Sequence, residues 1–188
     1  MRRLIPTLAL LCLTACATAR PRAVAPEVEL PVLGLSPASF GTSVDLTQRL
    51  SFAHDADPDG PRSLEALVEI DPAALRLAGF ALGQRVFTLR WDGTALDEER
   101  DPRLPAQFQS RQVLRDVQLV YWPAEAVRAA LPPGWTLEEG PGRRVLLQGG
   151  REWLTVRYGG EPRWVGRAEL VNLAEHYRLT IESSPTEG

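Results

Sequence analysis

The chain has 188 residues, of which 44% are hydrophobic, 24% charged and 7% aromatic, a composition typical of one globular domain rather than a membrane bundle or a disordered chain. Its formal net charge of -3 lacks the basic excess of proteins that bind the phosphate backbone, so nucleic acid is not an expected partner. Both cysteines fall before residue 17 and no lysine is present, which excludes disulfides, cysteine-bound zinc, a cysteine nucleophile and lysine chemistry from the rest of the chain.

The first residues have the pattern of an export signal. Two arginines precede an apolar run over 4–13, which is too short to span a bilayer core of about 30 Å. The run ends in Leu-Thr-Ala-Cys, which resembles the lipobox of bacterial lipoproteins. The resemblance implies a signal peptide over 1–15, lipid attachment at Cys16 and, from the alanine that follows, location in the outer membrane. The alternative is a plain secretory signal with an incidental cysteine.

A proline-rich stretch follows the lipobox. Prolines at 21, 26, 31 and 37 stand in a background of small and polar residues, and such sequences favour an extended polyproline II chain. We expect residues 16–39 to form a tether between the lipid and the domain. The alternative is that 28–33 docks on the domain as a first strand.

The predicted domain covers 40–183 and is followed by a polar tail over 184–188. Apolar and polar residues alternate with a period of two, which indicates half-buried strands, at 43–52, 63–70, 75–80, 85–91, 135–138, 144–148, 153–158, 164–173 and 177–182. Between 110 and 131 the apolar period is helical, and Pro123 suits the first turn of a second helix. This order predicts an α+β fold, a curved antiparallel sheet with helices against one side. The residues leave open whether the sheet closes.

Few side chains suggest catalysis or metal binding. The loop 55–60 reads Asp-Ala-Asp-Pro-Asp-Gly, like the start of a calcium loop, but its twelfth position is Ala66 instead of a bidentate glutamate. A solvated turn uses the same residue types, so calcium binding stays open. The two histidines, His54 and His176, lie near predicted strand ends, and lone histidines are usually structural. Apart from that open question, we expect no metal site, no cofactor and no enzymatic activity.

The five tryptophans stand at the ends of predicted elements. Large aromatic residues usually fill cores, and they also suit the lining of an apolar cavity between sheet and helices. Phe87, Trp91 and Trp122 fit both interpretations, because the strand and helix faces that carry them must pack on one another in an α+β arrangement.

Together with the lipobox, four segments resemble the LolB-like outer-membrane lipoprotein receptors, and more closely an uncharacterised lipoprotein family of that group. They are Leu-Thr-Gln-Arg-Leu at 46–50, Gly-Phe-Ala-Leu-Gly-Gln-Arg-Val at 79–86, Leu-Arg-Asp-Val-Gln-Leu-Val-Tyr-Trp-Pro at 114–123 and Tyr-Gly-Gly at 158–160. The resemblance implies a LolA/LolB-like fold, an unclosed β-barrel whose helical lid encloses a hydrophobic cavity for acyl chains. The cavity residues that it implies on this chain are Phe87, Leu89, Trp91, Val117, Tyr121 and Trp122.

The resemblance also implies a function. LolB-like receptors accept lipoproteins from a periplasmic carrier and insert them in the outer membrane, using an exposed leucine in a Leu-Gly turn that matches Leu82 here. We therefore expect a periplasmic lipoprotein, anchored in the outer membrane through Cys16, that binds acyl chains and acts in lipid or lipoprotein transport with a LolA-like carrier as partner. The narrower expectation is export of lipid-like products such as aryl polyene lipids.

Two alternatives remain at this point. The first is a structural envelope lipoprotein with a filled core that acts as a protein–protein adaptor. The second is a hydrolase of envelope lipids, which would need a buried carboxylate or histidine pair with perturbed titration in a cleft.

Overall fold

The computed structural model describes residues 28–104 and 108–186. In these ranges the chain forms one sheet of ten strands, with two helices between the fifth and sixth strands. The strands are β1 (Val44–His54), β2 (Arg62–Ile70), β3 (Leu75–Ala81), β4 (Gln84–Trp91), β5 (Leu96–Arg100), β6 (Trp135–Gly140), β7 (Arg143–Gln148), β8 (Arg151–Tyr158), β9 (Gly166–Asn172) and β10 (Tyr177–Pro185). The helices are α1 (Ser110–Tyr121) and α2 (Ala124–Ala130).

Two five-stranded antiparallel meanders make up the sheet. Its strand order is β5-β4-β3-β2-β1-β10-β9-β8-β7-β6, so neighbours in sequence pair as hairpins and β1 joins β10 at the centre. The central register places Leu50 opposite Ile181. β5 and β6 form the two edges and do not pair with each other, so the sheet is unclosed. The predicted fold class, an open antiparallel sheet with a helical layer, is confirmed.

One face of the sheet is buried and the other is exposed. In β2, for example, Ala66, Val68 and Ile70 are buried between exposed neighbours, because successive side chains of a strand point to opposite faces. Leu114 and Leu119 of α1 belong to the same apolar core as these residues. The helices therefore lie on the buried face, as a sheet with one apolar face requires.

Strand β5 is not predicted by the sequence. It reads Leu-Asp-Glu-Glu-Arg, and its four charged residues produce no apolar alternation. β5 pairs only with β4, with Leu96 opposite Trp91, and charge on such an edge strand disfavours pairing with another chain. At the other end of the chain β10 extends to Pro185, so the first two residues of the predicted tail lie in a strand.

The segment 28–40, called the strap from here on, packs on the domain. It contains no strand and ends in a short 3-10 turn, Pro37–Phe40. Its apolar residues Leu30, Leu33, Leu35 and Phe40 are buried in the same core as the sheet and α1. The second half of the stretch predicted as a tether is therefore docked, as in the alternative for 28–33, although not as a strand.

The remaining N-terminal predictions fall outside the described residues. They are the signal peptide 1–15, the lipid attachment at Cys16 and the first half of the tether, over 16–27. Of the helices within 28–104 and 108–186, none has both the length and the apolar character needed to cross a membrane.

Candidate functional site

The six residues predicted to line an acyl-chain cavity come together in one apolar core. Phe87, Leu89, Tyr121 and Trp122 are buried, and Trp91 and Val117 pack against the same core with part of their surface exposed. Strand β4 and helix α1 thus contribute to one core, as the α+β arrangement requires. The role of these residues as the lining of an acyl-chain cavity stays a prediction.

At one end of this core the space is filled by the strap. Leu30 has 2% of its surface exposed and Leu35 has 8%. The ring of Phe40 lies 5.1 Å from that of Trp122 on α1 and 5.3 Å from that of Trp164, which precedes β9, measured between centroids. The strap therefore contacts both the helix and the second half of the sheet.

Three polar side chains hold the backbone of the strap. The indole N–H of Trp91 and the side-chain amide of Gln118 both donate to the carbonyl of Leu35, at 2.7 and 3.0 Å. The Leu35 N–H donates in turn to Oε1 of Gln118 at 3.3 Å, and the indole of Trp122 donates to the carbonyl of Ser36 at 3.2 Å. These polar groups are buried or partly buried and need partners, which the strap supplies.

The C-terminal end of α1 is fastened to the sheet by a buried arginine. Nη1 of Arg144, on β7, donates to the carbonyls of Leu119 and Trp122 at 2.7 and 2.9 Å, and its Nη2 donates to Glu139 at 3.0 Å. The last carbonyls of a helix lack partners within the helix and carry partial negative charge. Arg144 supplies both a donor and a positive charge there.

The N-terminal half of α1 is fastened by a buried charge network. The Arg115 guanidinium donates to both carboxylate oxygens of Glu175, at 2.6 and 2.8 Å, and to Asp116 at 3.0 Å. The hydroxyl of Tyr177, on β10, donates to Asp116. Burial raises the pKa of the Asp116 carboxyl, and the neighbouring Arg115 opposes this rise. Arg115 lies between Asp116 and Glu175. Through these contacts the network joins α1 to the β9–β10 turn and to the start of β10.

A third polar cluster lies between α1 and the centre of the sheet. Nε2 of Gln48 on β1 donates to the hydroxyl of Tyr121 at 2.7 Å and to that of Ser183 on β10 at 3.0 Å. Burial raises the pKa of Tyr121 to about 12, so this hydroxyl is protonated at neutral pH. The hydroxyl of Tyr121, one of the predicted cavity residues, therefore already has hydrogen-bond partners.

The two histidines lie on the surface, and the acidic loop 55–60 is paired with an arginine. His54 and His176 are exposed, and Nδ1 of His176 lies 3.9 Å from Asp55. Asp57, in the loop 55–60, is paired with Arg62 at 3.1 Å. Within 28–104 and 108–186, no group of three or more His, Cys, Asp and Glu side chains is placed to hold a metal ion.

Two open depressions, of about 460 and 640 Å³, lie on the sheet. The smaller is lined by residues of the central strands, such as Arg49 and Glu182, and the larger by residues of the first meander, such as Arg76 and Glu99. Of the six predicted cavity residues only Leu89 borders either depression. The other five predicted residues therefore lie away from both depressions.

Leu82, predicted to insert in the membrane, forms the tip of the β3–β4 hairpin with Gly83. Its side chain is fully exposed, and both residues have positive φ, 51° and 73°. Such turns favour asparagine and glycine, whereas a leucine in this conformation is uncommon. A register shift between Gly79 and Phe80 bends the hairpin, and a Cβ at Gly79 would collide with the ring of Phe87. Insertion by Leu82 stays a prediction.

Sequence reasoning offered docking of 28–33 only as a strand, and it missed the buried polar residues Gln118, which holds the strap, and Arg115, which holds α1. Gln118 and Arg115 stand on what the helical period gives as the polar side of α1, where solvent exposure is the ordinary expectation. The available signal was the spacing of Leu30, Leu33 and Leu35 within the proline-rich stretch. Apolar residues at that density are unusual in a solvated tether.

The comparisons with known proteins find a family model of unassigned function and several similar solved structures. A family model described as "Protein of unknown function (DUF3261)" matches residues 45–185. No curated protein matches the sequence. Among solved structures, similar chains include a LolA superfamily protein from Nitrosomonas europaea, with a TM-score of 0.43, 10% identity and coverage of 83% of this chain and 92% of that chain. A DUF1329 family protein from Desulfovibrio piger has a TM-score of 0.34 and 11% identity, and covers 79% of this chain and 87% of that chain.

Proposed function

We propose that this chain, which belongs to the family Protein of unknown function (DUF3261), is a periplasmic lipoprotein that binds acyl chains and moves lipid or lipoprotein to the outer membrane. In this proposal Cys16 carries the lipid anchor, the core beneath α1 receives the acyl chain and Leu82 touches the membrane. A LolA-like carrier is the proposed donor. The observation that carries the proposal is the exposed, conformationally costly leucine at the β3–β4 tip.

The geometry of the tip favours contact with an apolar phase. Leu82 gains nothing from its own domain, because its side chain is fully exposed. Its backbone has φ of 51°, which costs a residue with a Cβ roughly 1 kcal/mol. Burial of a leucine side chain is worth about 1.5–3 kcal/mol, so a lipid surface or an acyl chain would more than offset that cost.

The proposed anchor and the tip can reach the same bilayer. Twelve residues, 16–27, separate Cys16 inclusive from the strap, and a chain of that length spans at most about 40 Å. Strand β4, with eight residues, separates the Leu82 tip from Leu35 of the strap by roughly 25 Å. The extended segment 16–27 is longer than this strand, and we expect it to let Leu82 meet the bilayer that holds Cys16.

The test is co-flotation with vesicles of phosphatidylethanolamine and phosphatidylglycerol. The protein is the chain from residue 17 onward, which keeps every described residue and is called the soluble chain below. We expect Leu82→Asn to weaken vesicle binding at least about tenfold, the factor to which about 1.4 kcal/mol corresponds. Asparagine suits the positive φ of the turn, so the hairpin remains folded.

The matched control is Leu173→Asn. Leu173 lies in the β9–β10 turn and has 49% of its surface exposed, so its replacement removes a second exposed leucine of a hairpin turn. We expect this variant to bind like the unchanged chain. Equal binding by the Leu82 and Leu173 variants, or no vesicle binding by any of them, would contradict the proposal.

The filled core favours a second candidate, the protein–protein adaptor. Leu30, Leu33 and Leu35 occupy part of the space that a ligand would need, and an adaptor requires no internal cavity. The adaptor predicts that no acyl chain of any length binds the soluble chain. Titration with a fluorescent fatty acyl probe, read through tryptophan emission, separates the two candidates.

A further inference from the structure

The strap is attached to the domain through side chains and not through a backbone ladder. Within the described residues no strand pairs with it, and the bond from the Ser39 N–H to the Ser36 carbonyl, at 3.0 Å, closes its own turn. Its hydrogen bonds with the rest of the domain, as far as the structure describes the chain, are those with Trp91, Gln118 and Trp122. The strap can therefore leave without breaking any hydrogen bond of the sheet.

The groove beneath the strap recognises one peptide unit. Two buried or partly buried donors, the Trp91 indole and the Gln118 amide, converge on the Leu35 carbonyl. The Oε1 atom of Gln118 accepts the N–H of the same residue. An amide offers both of these groups and an ester offers the carbonyl, so either can accept from the two donors that hold the Leu35 carbonyl.

The remainder of the groove holds apolar side chains. Leu30, Leu33 and Leu35 are buried there, and an extended chain from 30 to 35 covers about 17 Å, comparable with a long acyl chain. The groove thus combines an apolar channel with a polar end that contains more donors than acceptors.

We propose that the strap is an internal stand-in for the ligand, and that the groove takes an acyl chain bearing an ester or amide carbonyl when the strap leaves. The inference rests on the proposed function, which it extends to the ligand's chemical class. A buried donor without a partner is costly. An acyl carbonyl would satisfy Trp91 and Gln118 in place of Leu35, whereas a plain hydrocarbon would leave both unpaired.

The direct test locks the strap in place. A Cβ added at Gly93 would lie 3.6 Å from Oγ of Ser36, so Ser36→Cys with Gly93→Cys places two thiols next to each other. The soluble chain has no cysteine of its own, because both lie before residue 17. The probe is the methyl ester of pyrene-labelled hexadecanoic acid. We expect the oxidised, locked chain to bind it at least about tenfold more weakly than the same chain after reduction.

Two further variants complete the test. Gly93→Cys alone controls for the changed backbone, and its binding should not respond to the reductant. Leu33→Ser loosens the strap without touching the polar end of the groove, and we expect it to bind the ester about tenfold more tightly than the unchanged chain. Circular dichroism of each variant verifies folding.

The ligand class is tested with three probes of the same length. We expect the pyrene-labelled methyl ester and the N-methyl amide to bind the Leu33→Ser chain tightly, and the pyrene-labelled hydrocarbon at least about tenfold more weakly. Adding Trp91→Phe removes one hydrogen-bond donor and retains a ring. This change should reduce the difference in affinity between the two carbonyl probes and the hydrocarbon probe. Equal binding of all three probes would overturn the assignment of a carbonyl ligand.

The outcomes separate this inference from the proposed function. If the locked and reduced chains bind the ester equally, or if the folded Leu33→Ser chain binds none, the strap is a structural part of the core and the inference is wrong. Vesicle binding that depends on Leu82 would then still stand. Loss of both the ester binding and the Leu82-dependent vesicle binding contradicts both proposals.

Discussion

Apolar side chains are buried at one end of strand β4 and exposed at the other. At the Trp91 end Leu35 of the strap is buried, and the Trp91 indole and the Gln118 amide donate to its carbonyl. At the other end Leu82 is fully exposed in a backbone conformation that disfavours it. The covered end is built for internal contacts, whereas the Leu82 end has apolar surface that no described residue covers. In the proposed function the covered end receives the acyl chain and the Leu82 end contacts the membrane.

The largest expected effect is a loss of stability at the covered end. Trp122 is completely buried and packs against Phe40 at 5.1 Å between ring centroids. We expect Trp122→Ala to lower the free energy of unfolding by about 3–5 kcal/mol, because it leaves a cavity and removes the ring that packs on Phe40. Leu82→Ala should change it by no more than about 0.5 kcal/mol. Urea unfolding of the two variants measures the contrast, and equal losses would contradict it.

A smaller effect probes the polar cluster of Tyr121, Gln48 and Ser183 by pH. All three tyrosines have a raised pKa because of burial, Tyr121 to about 12, with Tyr158 and Tyr177 also raised. A group whose pKa is raised on folding stabilises the fold below its unfolded pKa and loses that contribution as pH rises. Between pH 10 and 12 we therefore expect Tyr121 to cost about 2 kcal/mol of stability. Tyr121→Phe should show a shallower alkaline loss, and equal loss would contradict the burial of its hydroxyl.

The hydrogen bonds that hold the strap are expected to contribute less to the free energy of unfolding than the packing of the core. Trp91→Phe keeps a ring but removes the donor to the Leu35 carbonyl, which Gln118 still satisfies. We expect a loss of about 1 kcal/mol in the free energy of unfolding. Amide hydrogen exchange should quicken at Leu35 and remain unchanged in β1. Uniform quickening throughout the domain would mean that Trp91 supports the whole fold and not the strap in particular.

The smallest effect has the opposite sign and lies at the Leu82 end. Because asparagine adopts positive φ more readily than leucine, we expect Leu82→Asn to raise the free energy of unfolding by up to about 1 kcal/mol. The melting temperature by calorimetry checks this. A destabilised Leu82→Asn variant would show that Leu82 makes contacts within the protein, and the contrast between the two ends of β4 would fail.

The sequence predicts the parts of the fold whose burial follows a simple period. In β2 the alternation that ends in Ile70 indicates one buried face, and the helical period through Leu114 and Val117 indicates the face of α1 that meets the sheet. The sequence does not predict β5, because an edge strand exposed on both sides has no apolar period.

The candidate site is harder to predict, because it depends on packing between distant segments. The strap covers a second side of α1, so Gln118 is buried although it stands off the apolar face. Arg115 is buried for a similar reason, since Glu175 and Tyr177 come from the far end of the chain. Such partners become visible only when the segments are folded together. Leu82 is the exception, because the resemblance to the LolB-like receptors points to it through the Leu-Gly turn.

The most direct test of the central claim is where the β3–β4 tip lies when the protein meets a membrane. Leu82→Cys in the soluble chain, which has no other cysteine, is labelled with bimane and mixed with vesicles whose lipids carry nitroxide quenchers in the acyl region. The account predicts a blue-shifted, strongly quenched label at residue 82 and an unquenched label at Leu173→Cys. A label at residue 82 that remains as water-exposed as the one at residue 173 would contradict it.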